Sequence, residues 1–289
     1  MAARGAPAER MVTIAANSFT MGTDAIEGFA EDGEGPSRVV SLDTFRIAPT
    51  AVTNVEFTGF VRATRYVTDA ERLGSSFVFN LQVDAVVRDR TRVLPSGLRW
   101  WLDVQDACWQ RPEGPGSHIH ARHAHPVVHV SWNDCQAYSA WRGMRLPTEA
   151  EWECAARGGL HGMRLPWGDA LAPDSRPCCN TWCGCFPDAP APGWSPGTVP
   201  ADAFEPNGHG LYNVAGNVWE WCADWFSPAY HRDTATANPQ GTEVTGRRAM
   251  RGGSFLCHDS YCNRYRVAAR GSNSPTSSAS NIGFRVAAD

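Results

Sequence analysis

The sequence predicts an α+β protein rich in irregular loops, as one large domain or two small ones. Glycine and proline number 27 and 20 among 289 residues, while charged residues make up only 19%. That mix favours irregular loops over a helical bundle. Twelve tryptophans supply bulky anchors that can pin such loops to a core. Capped helix starts occur only before Gly158, and no long periodic segment follows it. A chain of this length has ample material for one large core.

Taken in order, residues 11–22 (MVTIAANSFTMG) alternate apolar and polar and end in glycine, which predicts a strand. Residues 24–37 are acidic and glycine-rich, a loop, and residues 39–47 alternate again as a second strand. Thr53-Asn54-Val55-Glu56 is a capping box: the Thr hydroxyl accepts from the Glu N–H, and the Glu side chain reaches back. A helix is expected over residues 54–64, burying Val55, Phe57, Phe60 and Val61. Residues 65–116 show weak periodicity and several turn signals. Trp100 and Trp101 within them read as core or cleft wall. His118, His120, His123, His125 and His129 form a run that can bind metal. No carboxylate motif accompanies it and a strand-like stretch follows directly, so it reads as structural. Ser131-Trp132-Asn133-Asp134 opens a second capped helix ending near Gly143. Thr148-Glu149-Ala150-Glu151 opens a third that stops at Gly158-Gly159. The remaining loops need more than ladder hydrogen bonds to hold them, and bound ions are the natural expectation.

The net charge of -4 predicts neither nucleic-acid nor membrane-surface binding, and no segment approaches the ~20 apolar residues of a membrane span. Residues 1–10 are polar without an apolar core. They read as a disordered or loosely attached start, not a signal peptide. A cytoplasmic location is expected. Ten cysteines in a reducing compartment point to metal-binding or catalytic thiols rather than staples.

Three places carry possible chemistry. Cys257 and Cys262 sit among small, polar and basic residues. Gly252 and Gly253 precede them, Phe255 and Leu256 anchor the segment, and Asp259-Ser260 supplies turn chemistry. The sulfurs can meet as a disulfide, as ligands of a soft metal or as a redox pair. In residues 213–220 the side-chain oxygens of Asn213 and Glu220, with carbonyls between them, can wrap a hard cation such as calcium. The competing reading is an aromatic-anchored turn with Trp219 and Trp221 in the core. Cys178, Cys179, Cys183 and Cys185 can bind a soft ion but lack the paired Cys-x-x-Cys spacing of a zinc ribbon.

Several segments together resemble the formylglycine-generating enzymes, or sulfatase-modifying factors. They are residues 251–266 (RGGSFLCHDSYCNRYR), 268–270 (AAR), 281–285 (NIGFR), 145–153 (RLPTEAEWE), 166–168 (PWG), 207–213 (NGHGLYN), 216–221 (GNVWEW) and 19–22 (FTMG). The resemblance covers nearly the whole chain from about residue 11. Most of these motifs mark the wider fold family, which includes non-catalytic members. The fold the resemblance implies is one compact sulfatase-modifying-factor, C-type-lectin-like domain over residues 11–289. The Cys-x4-Cys with its surroundings is specific to the enzyme.

The resemblance implies oxygen-dependent conversion of the cysteine in a Cys-x-Pro-x-Arg segment of an unfolded sulfatase to Cα-formylglycine. It implies copper(I) held by Cys257 and Cys262, with oxygen and an external thiol reductant as co-reactants. Copper(I) is soft and prefers thiolates, and two sulfurs leave room for a third ligand, the substrate sulfur. A hydrogen would then leave the substrate β-carbon, and the thioaldehyde would hydrolyse. Ser254 and Tyr261 are candidates for positioning oxygen or relaying protons, Trp219 for walling the site, and Arg264 for supporting it. The resemblance also implies structural calcium at Asn213, the carbonyls of Gly216 and Val218, and Glu220. A second calcium set would be Asn180, Thr181 and Trp194, but Pro192 stands where the family has an aspartate, leaving only Asp188 to supply a carboxylate. A monomer is expected. Three rivals fit less well. Iron-dependent sulfoxide synthases of this fold carry an extra helical domain, which the segment before residue 11 is too short to hold. A non-catalytic binding module would not need the Cys257–Cys262 pair. A disulfide oxidoreductase normally shows Cys-x-x-Cys at a helix start.

Overall fold

Short elements joined by long loops make up the computed structural model, which describes residues 11–89, 91–93 and 98–289. Residues 1–10 therefore lie outside the described residues. Helix accounts for 19% and strand for 22%, so helix falls well below the ~30% usual for globular domains. The expected class, one domain with little regular structure, is the one observed.

The first strand run divides into β1 (Val12–Ile14) and β2 (Asn17–Met21). Between them the Ala16 N–H leaves the ladder and donates to Thr44 Oγ1 at 3.0 Å. The second run divides into β3 (Arg38–Leu42) and β4 (Phe45–Ile47). Each run thereby serves two sheets: β2 pairs with β3, and β1 with β4.

Helix α1 (Asn54–Thr64) starts at its capping box, with the Thr53 N–H donating to Glu56 Oε2 at 2.7 Å. Phe57 and Phe60 are buried, but Val55 is 55% exposed, against expectation. At 3.6 residues per turn, Val55 lies roughly 200° around the helix from Phe57, away from the core. Residues 65–116, where periodicity is weak, contain α2 (Asp69–Leu73), β5 (Ser75–Phe79), α3 (Ala85–Arg88), β6 (Arg92–Val93) and β7 (Trp101–Gln105). These elements are too short to leave a periodic signature.

Helices α4 (Trp132–Trp141) and α5 (Glu149–Ala156) begin at the other two capping boxes. After them come β8 (Gly184–Cys185), β9 (Ala189–Pro190), β10 (Trp219–Trp225), α6 (Tyr230–Asp233), β11 (Arg248–Arg251), β12 (Arg270–Asn273), β13 (Ile282–Gly283) and β14 (Ala287–Ala288). The central sheet has the order β12-β11-β10-β13, with only the β10–β13 pair parallel. Its apolar face joins Trp221 and Met250 to Phe57, Tyr138 and Phe284 in one core. Strand β14 returns to β4, so both ends of the described chain meet in one sheet.

Buried arginines tie the loops to one another. Arg251, Arg266, Arg270 and Arg285 are all at most 2% exposed. Arg270 grips Glu149 with two bonds of 2.7 Å, and Arg266 grips Glu34 at 2.6 and 2.7 Å. Arg285 grips Glu220 at 2.6 and 2.8 Å. Arg251 pairs with Glu153. Spare guanidinium protons cap loop carbonyls: Arg285 reaches Ala48, Pro49 and Tyr212, and Arg270 reaches Asp32, Gly33 and Ser227. A planar fork with five donors suits this work, because each unpaired buried carbonyl would otherwise cost free energy.

Glu153 makes this network sensitive to acid. Burial pushes its carboxyl up, but Arg157 and Arg251 outweigh burial and bring it down to about 2 from 4.5. An acid depressed on folding contributes stability that is complete above its unfolded value and is lost as pH falls toward the folded one. Urea midpoints should therefore drop as pH falls from about 4.5 toward about 2. Glu153→Gln should flatten that slope; an unchanged slope would assign the acid sensitivity elsewhere.

Candidate active site

Two turns bring the cysteines together. After β11 the backbone bends at Gly252 (φ +90) and Gly253 (φ +68). A Cβ on Gly253 would lie 2.8 Å from the Arg264 carbonyl oxygen, so glycine is what lets the outgoing and returning chains pass. The Cys257 N–H then bonds the Ser254 carbonyl at 2.9 Å, and the Cys262 N–H bonds the His258 carbonyl at 2.8 Å. The intervening turn runs through Asp259 and Ser260, and Sγ of Cys257 lies 3.0 Å from Sγ of Cys262. Both thiols are unbridged and buried, at 1% and 7% exposure.

The pair is electrostatically lopsided. The Ser254 N–H points at Cys257 Sγ from 3.4 Å. Burial nevertheless pushes the Cys257 thiol well above its ordinary range. Cys262 is brought down to about 7, chiefly by its hydrogen bond from Cys257, with Arg264 adding to the effect. The Arg264 guanidinium reaches Cys262 Sγ at 3.9 Å, pairs with Asp32 and lies 3.9 Å over the Phe29 ring. One sulfur of the two is thus poised as thiolate near neutral pH.

The sulfurs lie on the floor of a cleft of about 500 Å³. Trp219 forms one wall. Its ring crosses Gly271, where a Cβ would lie 2.8 Å from the indole. Tyr261, also in the lining, stacks on Phe186 at 4.4 Å with the rings 8° apart, and Trp100 meets Tyr261 edge-on at 5.0 Å. Burial, followed by the two thiols, raises the Tyr261 hydroxyl to about 12, so it stays protonated. Trp100 and Trp101 both line the cleft. Phe186 carries no local signal in the sequence and was missed. Asn281, which also lines the cleft, was visible only as part of a motif.

The whole chain, residues 1–289, matches the family model described as the sulfatase-modifying factor enzyme 1-like domain. The chain belongs to the sulfatase-modifying factor family. Among its relatives is the formylglycine-generating enzyme of Streptomyces coelicolor, 55% identical over 100% of this chain and 92% of that protein. The enzyme of the same name from Thermomonospora curvata is 55% identical over 98% and 94%. The inactive Cα-formylglycine-generating enzyme 2 of Mus musculus is 44% identical over 96% and 85%. Identity by itself therefore does not separate active from inactive members, and the cleft must. Among solved structures, PvdO from Pseudomonas aeruginosa superposes with a TM-score of 0.69 at 25% identity, covering 96% of this chain and 94% of that one.

The other residues that the sequence likens to sites in sulfatase-modifying factors fare unequally. Asn213 Oδ1 is buried with no hydrogen-bond partner, while its Nδ2 donates to the Pro200 carbonyl at 3.0 Å. Positive φ at Asn213, Gly216 and Asn217 curls the backbone there. An orphaned amide oxygen in a curled loop fits a hard cation. Glu220 is less open than expected: its Oε2 accepts from Arg285 and Trp152, and its Oε1 accepts from Arg285. One lone pair on Oε1 is left for a cation. Trp221 is fully buried, as the competing reading had it.

The second calcium set has no carboxylate to complete it, and Asn180 Nδ2 is engaged with the Gly197 carbonyl at 2.8 Å and Asn217 Oδ1 at 3.2 Å. The Asn180 carbonyl accepts from the Asn217 N–H at 2.8 Å. Asp188 is spent on Arg99 in an exposed pair at 2.8 Å, and Trp194 packs edge-on against Trp182 at 5.1 Å. Thr181 is buried in the same loop. Its thiols diverge: Cys179 is buried and pushed up to about 12, whereas Cys183 and Cys185 are exposed. Among the described residues no three His, Cys, Asp or Glu side chains converge as metal ligands. In the histidine run, His129 is buried between Ser76 and the Pro112 carbonyl at 2.8 Å each, and burial brings it down to about 4. His118 and His120 stack on each other at 4.5 Å.

Proposed function

We propose that this chain is a copper-dependent oxidase that converts the cysteine of a Cys-x-Pro-x-Arg segment in an unfolded sulfatase to Cα-formylglycine with molecular oxygen. Full-length relatives at 55% identity carry the enzyme's name. The observation that carries the reading is the pair of sulfurs 3.0 Å apart on the floor of an open, aromatic-walled cleft. Two converging thiols are the donor set that a soft monovalent ion prefers, and with no third protein ligand a place remains for a guest thiol.

Copper(I) held by Cys257 and Cys262 would supply a soft centre with one-electron chemistry that favours the deprotonated form of a third thiol. Cys262, the more acidic of the two thiols, and Cys257 would be the residues that hold the ion. Tyr261 keeps its phenolic proton and can donate it in a hydrogen bond to a group in the cleft. Trp219, Trp100 and Phe186 exclude water from the reacting atoms. Oxygen takes more electrons than one thiol-to-thioaldehyde step gives up, so an external thiol supplies the remainder. The test is mass spectrometry of a Cys-x-Pro-x-Arg peptide incubated with enzyme, copper(I), oxygen and thiol. The cysteine should become an aldehyde, and an unaltered peptide would overturn the reading.

We propose further that one calcium ion is held by Asn213 Oδ1, the carbonyls of Gly216 and Val218, and the remaining lone pair of Glu220. Chelation should lower the melting temperature of the parent protein and leave that of Asn213→Ala unchanged. Equal responses of the two proteins would remove calcium from this loop.

A further inference from the structure

We infer that Asn281 is a positioning residue that aims the Ser254 hydroxyl proton into the cleft. The inference rests on the reading above, and Ser254 lines the same cleft as the two thiols.

A serine hydroxyl has two lone pairs and one proton. Both lone pairs of Ser254 Oγ are taken: the Leu256 N–H donates to it at 3.3 Å, and Asn281 Nδ2 donates at 2.9 Å. The hydroxyl can therefore act only as a donor, and among the described residues it meets no protein acceptor. Ser254 lines the cleft next to Cys257, so the proton is left for whatever enters. The same Asn281 accepts the Trp219 N–H on its backbone carbonyl at 2.8 Å. That second bond runs backbone to backbone and forms whatever the side chain, so it steadies the segment that carries the amide. Asn281 is 5% exposed, and the adjoining Ile282 pairs with Trp219 in the parallel β10–β13 ladder, so its backbone is not free to drift.

The choice of an amide follows from direction. Aspartate at this position would accept rather than donate, and would draw the Ser254 proton away from the cleft. Leucine would free a lone pair and let the hydroxyl rotate. Neither change touches the two thiols.

Steady-state kinetics at varied oxygen and varied peptide test this. Asn281→Asp and Asn281→Leu should lower kcat/KM for oxygen roughly 10-fold or more, with the peptide KM and copper(I) uptake unchanged. In a Ser254→Ala background, Asn281→Leu should cost nothing further, since both changes remove the same aimed proton. Additive losses, or a raised peptide KM with the oxygen dependence intact, would overturn the inference. NMR separates its failure from that of the proposed function. The Asn281 side-chain amide proton should shift upfield in Ser254→Ala whether or not the parent protein converts any peptide. An unmoved resonance would overturn the inference even in an active enzyme.

Discussion

Alanine in place of Cys257 or Cys262 is expected to lower conversion of a Cys-x-Pro-x-Arg peptide by about 10³-fold, or about 4 kcal/mol of transition-state stabilisation. The two sulfurs share one contact of 3.0 Å, and each depends on the other for its charge state. Removing either should cost nearly as much as removing both, as happens when groups act as a unit. The fold should survive, because each thiol borders the cleft and its loss opens little closed space. Far-ultraviolet circular dichroism and the melting temperature check that point. Copper(I) uptake measured against a competing chelator should disappear in the same variants. Conversion at the parental rate by either alanine variant would end the assignment.

The largest effect on stability is expected at Arg285. Replacing it with alanine strands the Glu220 carboxylate in the interior and leaves the Ala48, Pro49 and Tyr212 carbonyls without its protons. Breaking one side of a buried pair costs about 3–5 kcal/mol, a large share of the ~5–15 kcal/mol that holds a typical domain together. Arg99→Ala is the matched control. Its pair with Asp188 has a similar length, 2.8 Å, but the side chains are 70% and 61% exposed, and such pairs contribute about 0–1 kcal/mol. Urea denaturation should separate the two variants by several kcal/mol. Equal midpoints would mean that the buried arginines are not what holds the loops.

The legible parts of the fold were the local ones. Helices α1, α4 and α5 announced themselves through Thr53–Glu56, Ser131–Asp134 and Thr148–Glu151, because a capping box closes within four residues. The strand runs were visible, but their division was not: it depends on Ala16 meeting Thr44. Strands β5 and β7 left no trace, since what stabilises them is each other across a gap in the chain. Val55 was assigned to the core because apolarity was read without helical phase.

The sequence alone determined where the chain turns back at Cys257 and Cys262, because two glycines, an apolar anchor and an Asp-Ser turn act over a few bonds. It also determined which family of sites the chain resembles, since the motifs are runs of adjacent residues. The tertiary structure decided the rest. Cys262 owes part of its acidity to an Arg264 braced by Asp32, 232 positions away. The cleft wall draws Phe186 and Trp100 from two loops and Trp219 from the start of β10. Glu220 is taken up chiefly by Arg285 rather than left open to a cation. Each of these outcomes is a contact between distant segments, set by how the whole chain closes on its core, and no local spacing encodes that closure.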